Sequence, residues 1–240
     1  MAANDLLIFI PTYNERENIS PIVMGLRRHL GRIPILFCDD NSPDGTRQVI
    51  EEVRRLDGAV EVLSRSTKLG IGSAHKLGLR EAHRRGYRRV LTLDCDLTHQ
   101  PSDCARFTEN TDGDVIIGSR FVDRGSLAEW NWMRKFLTHA GHFATMRLLD
   151  LPYDATGALR LYRLDHIGIA WLDDVRSDGY AFFFESLMVL HARGVHITEL
   201  AIRLPKRTYG SSKMSLLEVA RSLSLLIRLA ARRREISRHE

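Results

Sequence analysis

Leu91-Thr92-Leu93-Asp94-Cys95-Asp96 is an apolar run that ends on two carboxylates one residue apart. In an extended strand alternate side chains share a face, so Asp94 and Asp96 can point at one place. Two carboxylates that close repel each other unless positive charge lies between them. A divalent cation with oxygen ligands meets that need and can also bridge to a phosphate. Taken alone, the triplet is weak and fits a solvated turn after a strand better. Its surroundings decide.

Upstream, strand-like and helix-like segments alternate. Leu6–Ile10 is apolar and ended by Pro11. Ile35–Cys38, Val60–Leu63, Val90–Leu93 and Asp114–Ile117 are further strand candidates. Between them, Asn18–Leu30 carries apolar residues at helical spacing, Asp44–Leu56 starts on Asp44 as N-cap, and Ser73–Arg85 is closed by Gly86. This alternation predicts an α/β fold, with a mostly parallel central sheet and helices on both faces. Ligands of such sheets bind beyond the carboxyl ends of the strands. Pro11, Asp39, Asp40, Asp94 and Asp96 all fall there.

Downstream the pattern is less regular. Helices are predicted over Trp130–Leu149, Phe182–Ala192 and Met214–Arg234, and strands over Leu159–Tyr162 and Ile197–Leu204. Without repeat, low-complexity stretch or linker, one domain over residues 1–213 is expected, continuous with a C-terminal helical segment over 214–240.

The 240 residues suffice for a substantial core, and 44% apolar with 27% charged residues is ordinary globular composition. The net charge of +5 suits a phosphorylated substrate, an anionic membrane or nucleic acid. Basic residues are not interleaved with aromatics on one face, which argues against nucleic acid. Cys38, Cys95 and Cys104 are odd in number and lack metal-ligand spacing, so they are expected to be reduced, on the cytoplasmic side. There is no basic-then-apolar leader, and no window approaches the roughly 18 apolar residues of a membrane span. A lipid substrate would have to be met from the surface.

Three further stretches carry chemistry. Pro11-Thr12-Tyr13-Asn14-Glu15 follows the first strand, and Cys38-Asp39-Asp40-Asn41-Ser42-Pro43-Asp44-Gly45-Thr46 the second. A tyrosine ring can stack on a nucleobase, and a buried carboxylate can accept from base or ribose. Part of the second stretch is also a turn running into a capped helix. Lys68-Leu69-Gly70-Ile71-Gly72-Ser73-Ala74 precedes a helix, where glycines let backbone approach a phosphate or base. Its order does not match the dinucleotide fingerprint.

These stretches, with Gly118-Ser119-Arg120, Trp130 and Arg134, Gly157 and Arg160, Gly179-Tyr180 and Arg207-X-X-Gly210-X-Ser212-Lys213, occur in an order that resembles the dolichol-phosphate mannose synthase family of inverting GT-A glycosyltransferases. The likeness runs from Leu6 to Lys213. It implies a GT-A fold and transfer of a hexose, mannose from GDP-mannose being favoured, to a polyprenyl monophosphate. UDP-glucose or UDP-N-acetylglucosamine as donor is the nearest alternative. A non-catalytic membrane-docking subunit is a more distant one. By the same resemblance Pro11, Tyr13, Glu15, Cys38, Asp40, Asp94, Cys95 and Asp96 would line the nucleotide-sugar site. Asp94 and Asp96 would hold Mg²⁺ or Mn²⁺. Arg120, Arg134, Arg207 and Lys213 would face the reacting phosphates.

Departures from the family pattern are Thr98 in the metal turn, Phe183 after Gly179-Tyr180, and Ala158-Leu159 before Arg160. They bear on sugar and acceptor specificity. His99 beside the metal motif is expected to be structural. In the C-terminal helix, Leu216, Val219, Leu223, Leu226 and Ile227 form one stripe and Arg221, Arg228 and Arg232 another. That pattern fits either a helix lying in a membrane interface or one packed on its own domain or on a partner, a second copy included. The former would place the protein peripherally on the cytoplasmic face of a membrane.

Overall fold

In a computed structural model the chain is described over residues 5–110, 112–123, 126–127, 132–203 and 226–231. Seven strands form one sheet: β1 Leu6–Thr12, β2 Ile35–Asp39, β3 Val60–Ser64, β4 Arg89–Thr92, β5 Val115–Ser119, β6 Arg160–Arg163 and β7 Ile197–Ala201. The helices are α1 Ile19–Leu30, α2 Thr46–Leu56, α3 Ile71–Arg84, α4 Pro101–Glu109, α5 Trp132–Leu149, the short α6 Leu164–Ile167 and α7 Ala181–Ala192.

The strand order is β3-β2-β1-β4-β6-β5-β7. All pairings are parallel except those of β6, which runs antiparallel to both β4 and β5. The inner strands are apolar almost throughout because both faces are covered. In β1, Leu7 and Phe9 enter one core cluster and Leu6, Ile8 and Ile10 the other. Helical spacing buries Ile19, Ile22, Val23 and Leu26 of α1 against the second.

The strand order reverses at β1, which has β2 on one side and β4 on the other. A crevice opens at such a switch point beyond the strand ends. The segments after β1, β2 and β4 all meet there.

Three expectations change. Asp44 is not the N-cap: Gly45 holds that place at φ 91°, and Asp44 Oδ1 accepts from the Thr46 amide at 3.0 Å and its hydroxyl at 2.6 Å. Helix α4 was not foreseen, although Pro101 at its start and Asp103 in its first turn are ordinary start signals. Of the C-terminal helix, only residues 226–231 are described, and they are helical. Leu226 and Leu229 are buried in the main core, while Ile227 is exposed.

Candidate active site

The segment after β1 is bound to the segment after β2. Thr12 Oγ1 donates to Asp39 Oδ1 at 3.2 Å, and the amides of Asn14, Glu15 and Arg16 donate to Ser42 Oγ, Thr46 Oγ1 and Asp44 Oδ2 at 3.0, 2.9 and 3.2 Å. Asn14 and Asn41 hold positive φ of 59° and 58°, which asparagine tolerates in tight turns. Asp39 in turn receives the Ser42 amide at 3.0 Å. Glu15 accepts from Asn18 Nδ2 at 2.6 Å. Tyr13 is half-buried, with Lys68 Nζ 3.8 Å from its ring centroid.

Asp40 is buried and ion-paired with Arg65, each side chain being only 7% exposed. Its Oδ2 also accepts from the amides of Leu69 and Gly70 at 3.2 Å. Asp40 therefore ties the glycine segment to the crevice. Arg65 fastens the other side of that segment through Ser73 Oγ at 2.9 Å and the Gly70 carbonyl at 3.1 Å.

The glycines serve packing. A Cβ on Gly70 would come 2.5 Å from the Asp178 carbonyl, and one on Gly72 2.5 Å from Phe182 Cβ. The Ser73 amide in the first turn of α3 donates to the Asp178 carbonyl at 3.0 Å. What approaches this helix start is the backbone before Gly179-Tyr180, where a phosphate was expected.

Past β4, Asp94 and Asp96 stand in a turn with Leu97 at φ 61°. Asp94 is one-third exposed, and its amide donates to His99 Nδ1 at 3.2 Å. Buried His99 thus braces the turn, the structural role expected of it. Asp96 is buried, and its Oδ1 accepts the Thr98 amide at 3.1 Å and the Thr98 hydroxyl at 2.5 Å. These bonds commit one Asp96 oxygen to the turn. Two carboxylates on this turn could supply part of a hard-cation shell and leave the rest to phosphate and water oxygens.

Pro11 lies in β1 and Cys38 in β2, at paired positions of the sheet. The Cys38 and Cys95 side chains do not reach the crevice, since each is buried in a core cluster. The Cys38 carbonyl accepts from Thr12 Oγ1 at 3.4 Å. Burial pushes the Cys38 thiol up to about 11, that of Cys104 to about 12, and that of Cys95 well above its ordinary value. All three cysteines are free, as the reduced reading expects.

On the other side, at the end of β5, Arg120 forms a forked pair with Asp154, through Nε at 2.8 Å and Nη2 at 2.7 Å. Asp154 is buried and also accepts the Arg120 amide and the Thr156 hydroxyl, at 3.1 and 3.0 Å. Burial raises its pKa, but the Arg120 charge and these hydrogen bonds more than offset that and hold it below the usual carboxylate range. Its amide donates to Glu199 Oε1 at 2.7 Å. Desolvation pushes Glu199 above the ordinary value. Arg120 is thus held by a carboxylate at the place where phosphate contact was expected.

Arg160 is wholly buried. Its guanidinium donates to the carbonyls of Gly157, Ala155 and Phe183 at 2.9, 3.1 and 2.9 Å and to Ser186 Oγ at 2.9 Å. It pins the Asp154–Gly157 turn to α7. Arg134 lies in the first turn of α5; Trp130, Arg207 and Lys213 lie outside the described residues. Sequence reasoning missed Arg65, Asp154 and Glu199. Asp154, six residues before Arg160, was within reach of the pattern already noticed at Gly157 and Arg160. No local signal marked the other two.

Comparison with known proteins gives the kinship. Residues 7–168 match the model of glycosyl transferase family 2. The chain is 35% identical over 214 residues to the polyprenol monophosphomannose synthase of Mycolicibacterium smegmatis, covering 87% of this chain and 80% of that one. It is 37% identical over 213 residues to the undecaprenyl-phosphate mannosyltransferase of Micrococcus luteus, covering 88% and 87%. Among solved structures it resembles the glucosyl-3-phosphoglycerate synthase of Mycobacterium tuberculosis in complex with UDP, at TM-score 0.62 and 18% identity over 97% of this chain and 80% of that chain. Another structure of that synthase contains Mn²⁺ with UDP and glucosyl-3-phosphoglycerate. The sheet and its helices are those of a GT-A-like fold, and the chain belongs to glycosyl transferase family 2 as a glycosyltransferase.

Proposed function

We propose that this protein transfers mannose from GDP-mannose to the phosphate of a polyprenyl phosphate, with inversion at the anomeric carbon. The observation that carries the reading is the near-full-length likeness to two proteins named for mannose transfer to a polyprenyl phosphate. The acidic crevice between β2, β1 and β4 is compatible with it.

An acceptor phosphate oxygen is already ionised near neutral pH. It attacks the anomeric carbon, the bond from that carbon to the donor diphosphate breaks, and the electron pair leaves with the diphosphate. No proton has to be removed, so a strong general base is not required. The protein's work is to position two polyanions and offset their charge. Asp94 and Asp96 would hold Mg²⁺ or Mn²⁺, which supplies positive charge at the leaving diphosphate. Tyr13 offers a stacking face for the base. Arg120 and Arg134, with Arg207 and Lys213, are assigned to phosphate oxygens. Arginine suits this because its fork can take two oxygens at once.

The test is transfer from radiolabelled GDP-mannose, UDP-glucose and UDP-N-acetylglucosamine to a short-chain polyprenyl phosphate, with and without divalent ion. Labelled mannolipid formed only from GDP-mannose is the expected result. Transfer only from a UDP-sugar would replace the donor, and no transfer from any of the three would overturn the reading.

A further inference from the structure

At the end of the sheet away from the crevice, an open pocket of about 160 Å³ is lined by Asp5, Arg88, Arg89, Asn110, Arg163 and Asp165. Its size is close to the ~150 Å³ of a cavity that takes benzene. Strand pairing builds it. Asp5 precedes β1, Arg88 and Arg89 stand at the start of β4, and Arg163 closes the antiparallel β6. Arg89 and Arg163 are direct cross-strand partners. Like charges so placed oppose the pairing of their strands. The lining carries three guanidinium groups and two carboxylates, so one positive charge is in excess.

We propose that this pocket binds a phosphate dianion, free or as a monoester. A guanidinium has five N–H donors in a rigid fork and takes two phosphate oxygens at once. A compact, doubly charged oxyanion can answer three such forks together. Neighbouring groups hold the forks in place. Asp165 Oδ2 accepts from Arg88 Nε at 3.0 Å and pairs with its Nη2 at 2.9 Å. Arg89 donates through Nη2 to Asp5 Oδ2 at 2.7 Å and through Nη1 to the Thr108 carbonyl at 2.9 Å. Arg163 Nη2 lies 2.9 Å from His166 Nε2. A guanidinium only donates, so that ring nitrogen accepts, and the ring proton sits on Nδ1, 2.8 Å from Asp114 Oδ1. Asn110 Oδ1 accepts the Asp112 amide at 2.7 Å, and its Nδ2 adds a neutral donor.

The pocket is separate from the crevice. The crevice lies beyond the carboxyl ends of β1, β2 and β4, whereas the pocket lies at the amino ends of β1 and β4. Strand β4 runs from Arg89 to Thr92, and Asp94 and Asp96 follow its far end. The two sites are therefore on the order of 15 Å apart along one strand. A dianion seated between Arg89 and Arg163 would relieve their repulsion and fasten β6 to β4. The same pair of strands joins Thr92 to Arg160 at its other end. The geometry is independent of the proposed function.

The test is thermal unfolding of the full-length protein in excess chelator, titrated with inorganic phosphate or glycerol 3-phosphate. At about pH 8 both probes are dianions. Sodium chloride at matched ionic strength is the blank. Wild type should gain about 5–10 °C at a hundredfold excess over Kd. Arg88→Gln and Arg163→Gln should each weaken phosphate binding by about tenfold or more, as loss of a charge-assisted hydrogen bond does. Arg88 is 61% exposed, so its loss costs the fold little, and that variant keeps the test readable if Arg163→Gln does not fold. Asp165→Asn leaves three cations against one carboxylate and should tighten binding. Arg134→Gln, in α5, should keep the full shift. Stabilisation by both probes supports the phosphate group as the ligand. Stabilisation by one alone supports the free ion or the monoester. No shift beyond the salt blank overturns the inference. A shift kept in full by both arginine variants of the pocket, or abolished by Arg134→Gln, would put the anion elsewhere and overturn it too.

Discussion

On the side of the crevice that the proposed function gives to the donor, Asp39, Asp40, Asp94 and Asp96 stand within two short segments, with Arg65 ion-paired to Asp40 and His99 Nδ1 3.9 Å from Asp94 Oδ2. On the opposite side, which the proposed function gives to the acceptor, the cation Arg120 is already neutralised by Asp154. The first side is rich in carboxylates and, in the proposed function, would bind a diphosphate. The second has its charge balanced before any ligand arrives. A metal ion is the chemical remedy for the first. For the second, the forked pair acts as a stand-in: a carboxylate holds the guanidinium as a phosphate would. On that reading a cation would complete the donor side, whereas the Arg120 side is pre-organised by its own carboxylate.

The strongest way to break that comparison is at Asp94. Its carboxylate is more exposed than that of Asp96, and its loss spares the Thr98 contacts that shape the turn. Asp94→Ala should lower turnover by about a thousandfold or more, since a bound metal contributes several kcal/mol of charge stabilisation. Excess chelator should do the same to wild type, with restoration by Mg²⁺ or Mn²⁺. Initial rates with a metal titration decide. A variant that keeps its rate would leave the four carboxylates without their cation.

The acceptor side should answer in stability as well as rate. Asp154→Asn leaves Arg120 half-buried against an amide, and breaking such a pair typically costs about 3–5 kcal/mol. Denaturant unfolding at neutral pH measures it. Asp154 is held below its usual range, so its contribution is present above about pH 4 and is lost as pH falls through its lower folded value. Wild type should therefore lose this increment in acid, and the variant should have none to lose. Arg120→Ala should slow transfer by a hundred- to thousandfold, on the order of 2.7–4 kcal/mol, with poor rescue by Lys. A fast Arg120→Ala enzyme would make the pair purely structural.

A smaller effect lies between the two sides. His75 on α3 is wholly buried, stacked on Phe182 at 5.3 Å and edge-on to Phe9 and Phe183. Burial first, and then the Arg160 charge, push its pKa down to about 3. The folded protein therefore keeps it neutral while the unfolded chain protonates it near pH 6.5. The sign follows: stability is full above about pH 6.5 and falls toward pH 3, by at most about 1.4 kcal/mol per pH unit. His75→Leu should flatten that slope, by about 2 kcal/mol at pH 5. An unchanged slope would show that acid unfolding runs through the carboxylates alone.

What the sequence disclosed differs between the two sides for a physical reason. Strands buried on both faces appear as apolar runs, and turn residues follow them, so the crevice at β1, β2 and β4 was legible from local pattern. The partners of its residues were not. Asp40 meets Arg65 and the Leu69–Gly70 backbone, and Gly72 meets Phe182, only after the chain has folded. The antiparallel course of β6 and the Arg120–Asp154 pair depend on contacts across 34 or more residues, which no periodicity carries. Two helices make the same point. Leu226 of the C-terminal stripe is covered by the core, while Trp132, Phe136 and Phe143 of α5, unremarked in the sequence, are exposed. Periodicity reveals that a helix has two faces, and tertiary packing decides which of them meets solvent.

Tyr13 permits the finest test of the donor side. Its ring carries Lys68 Nζ at 3.8 Å, an interaction of about 0.5–1 kcal/mol at an exposed site. A nucleobase stacking on the same face must displace it, yet a lysine there also helps to offset the diphosphate. Lys68→Met separates the two effects. Guanosine has no phosphate, so it should bind the variant about two- to fivefold more tightly. GDP, which loses a favourable charge, should gain nothing or bind more weakly. Calorimetric titration of both ligands at two salt concentrations reads the difference, and the loss for GDP should shrink as salt rises. If guanosine affinity is unchanged by the substitution, the base does not use the face that Lys68 covers, and the stacking role of Tyr13 must be given up while the carboxylate side of the site remains as described.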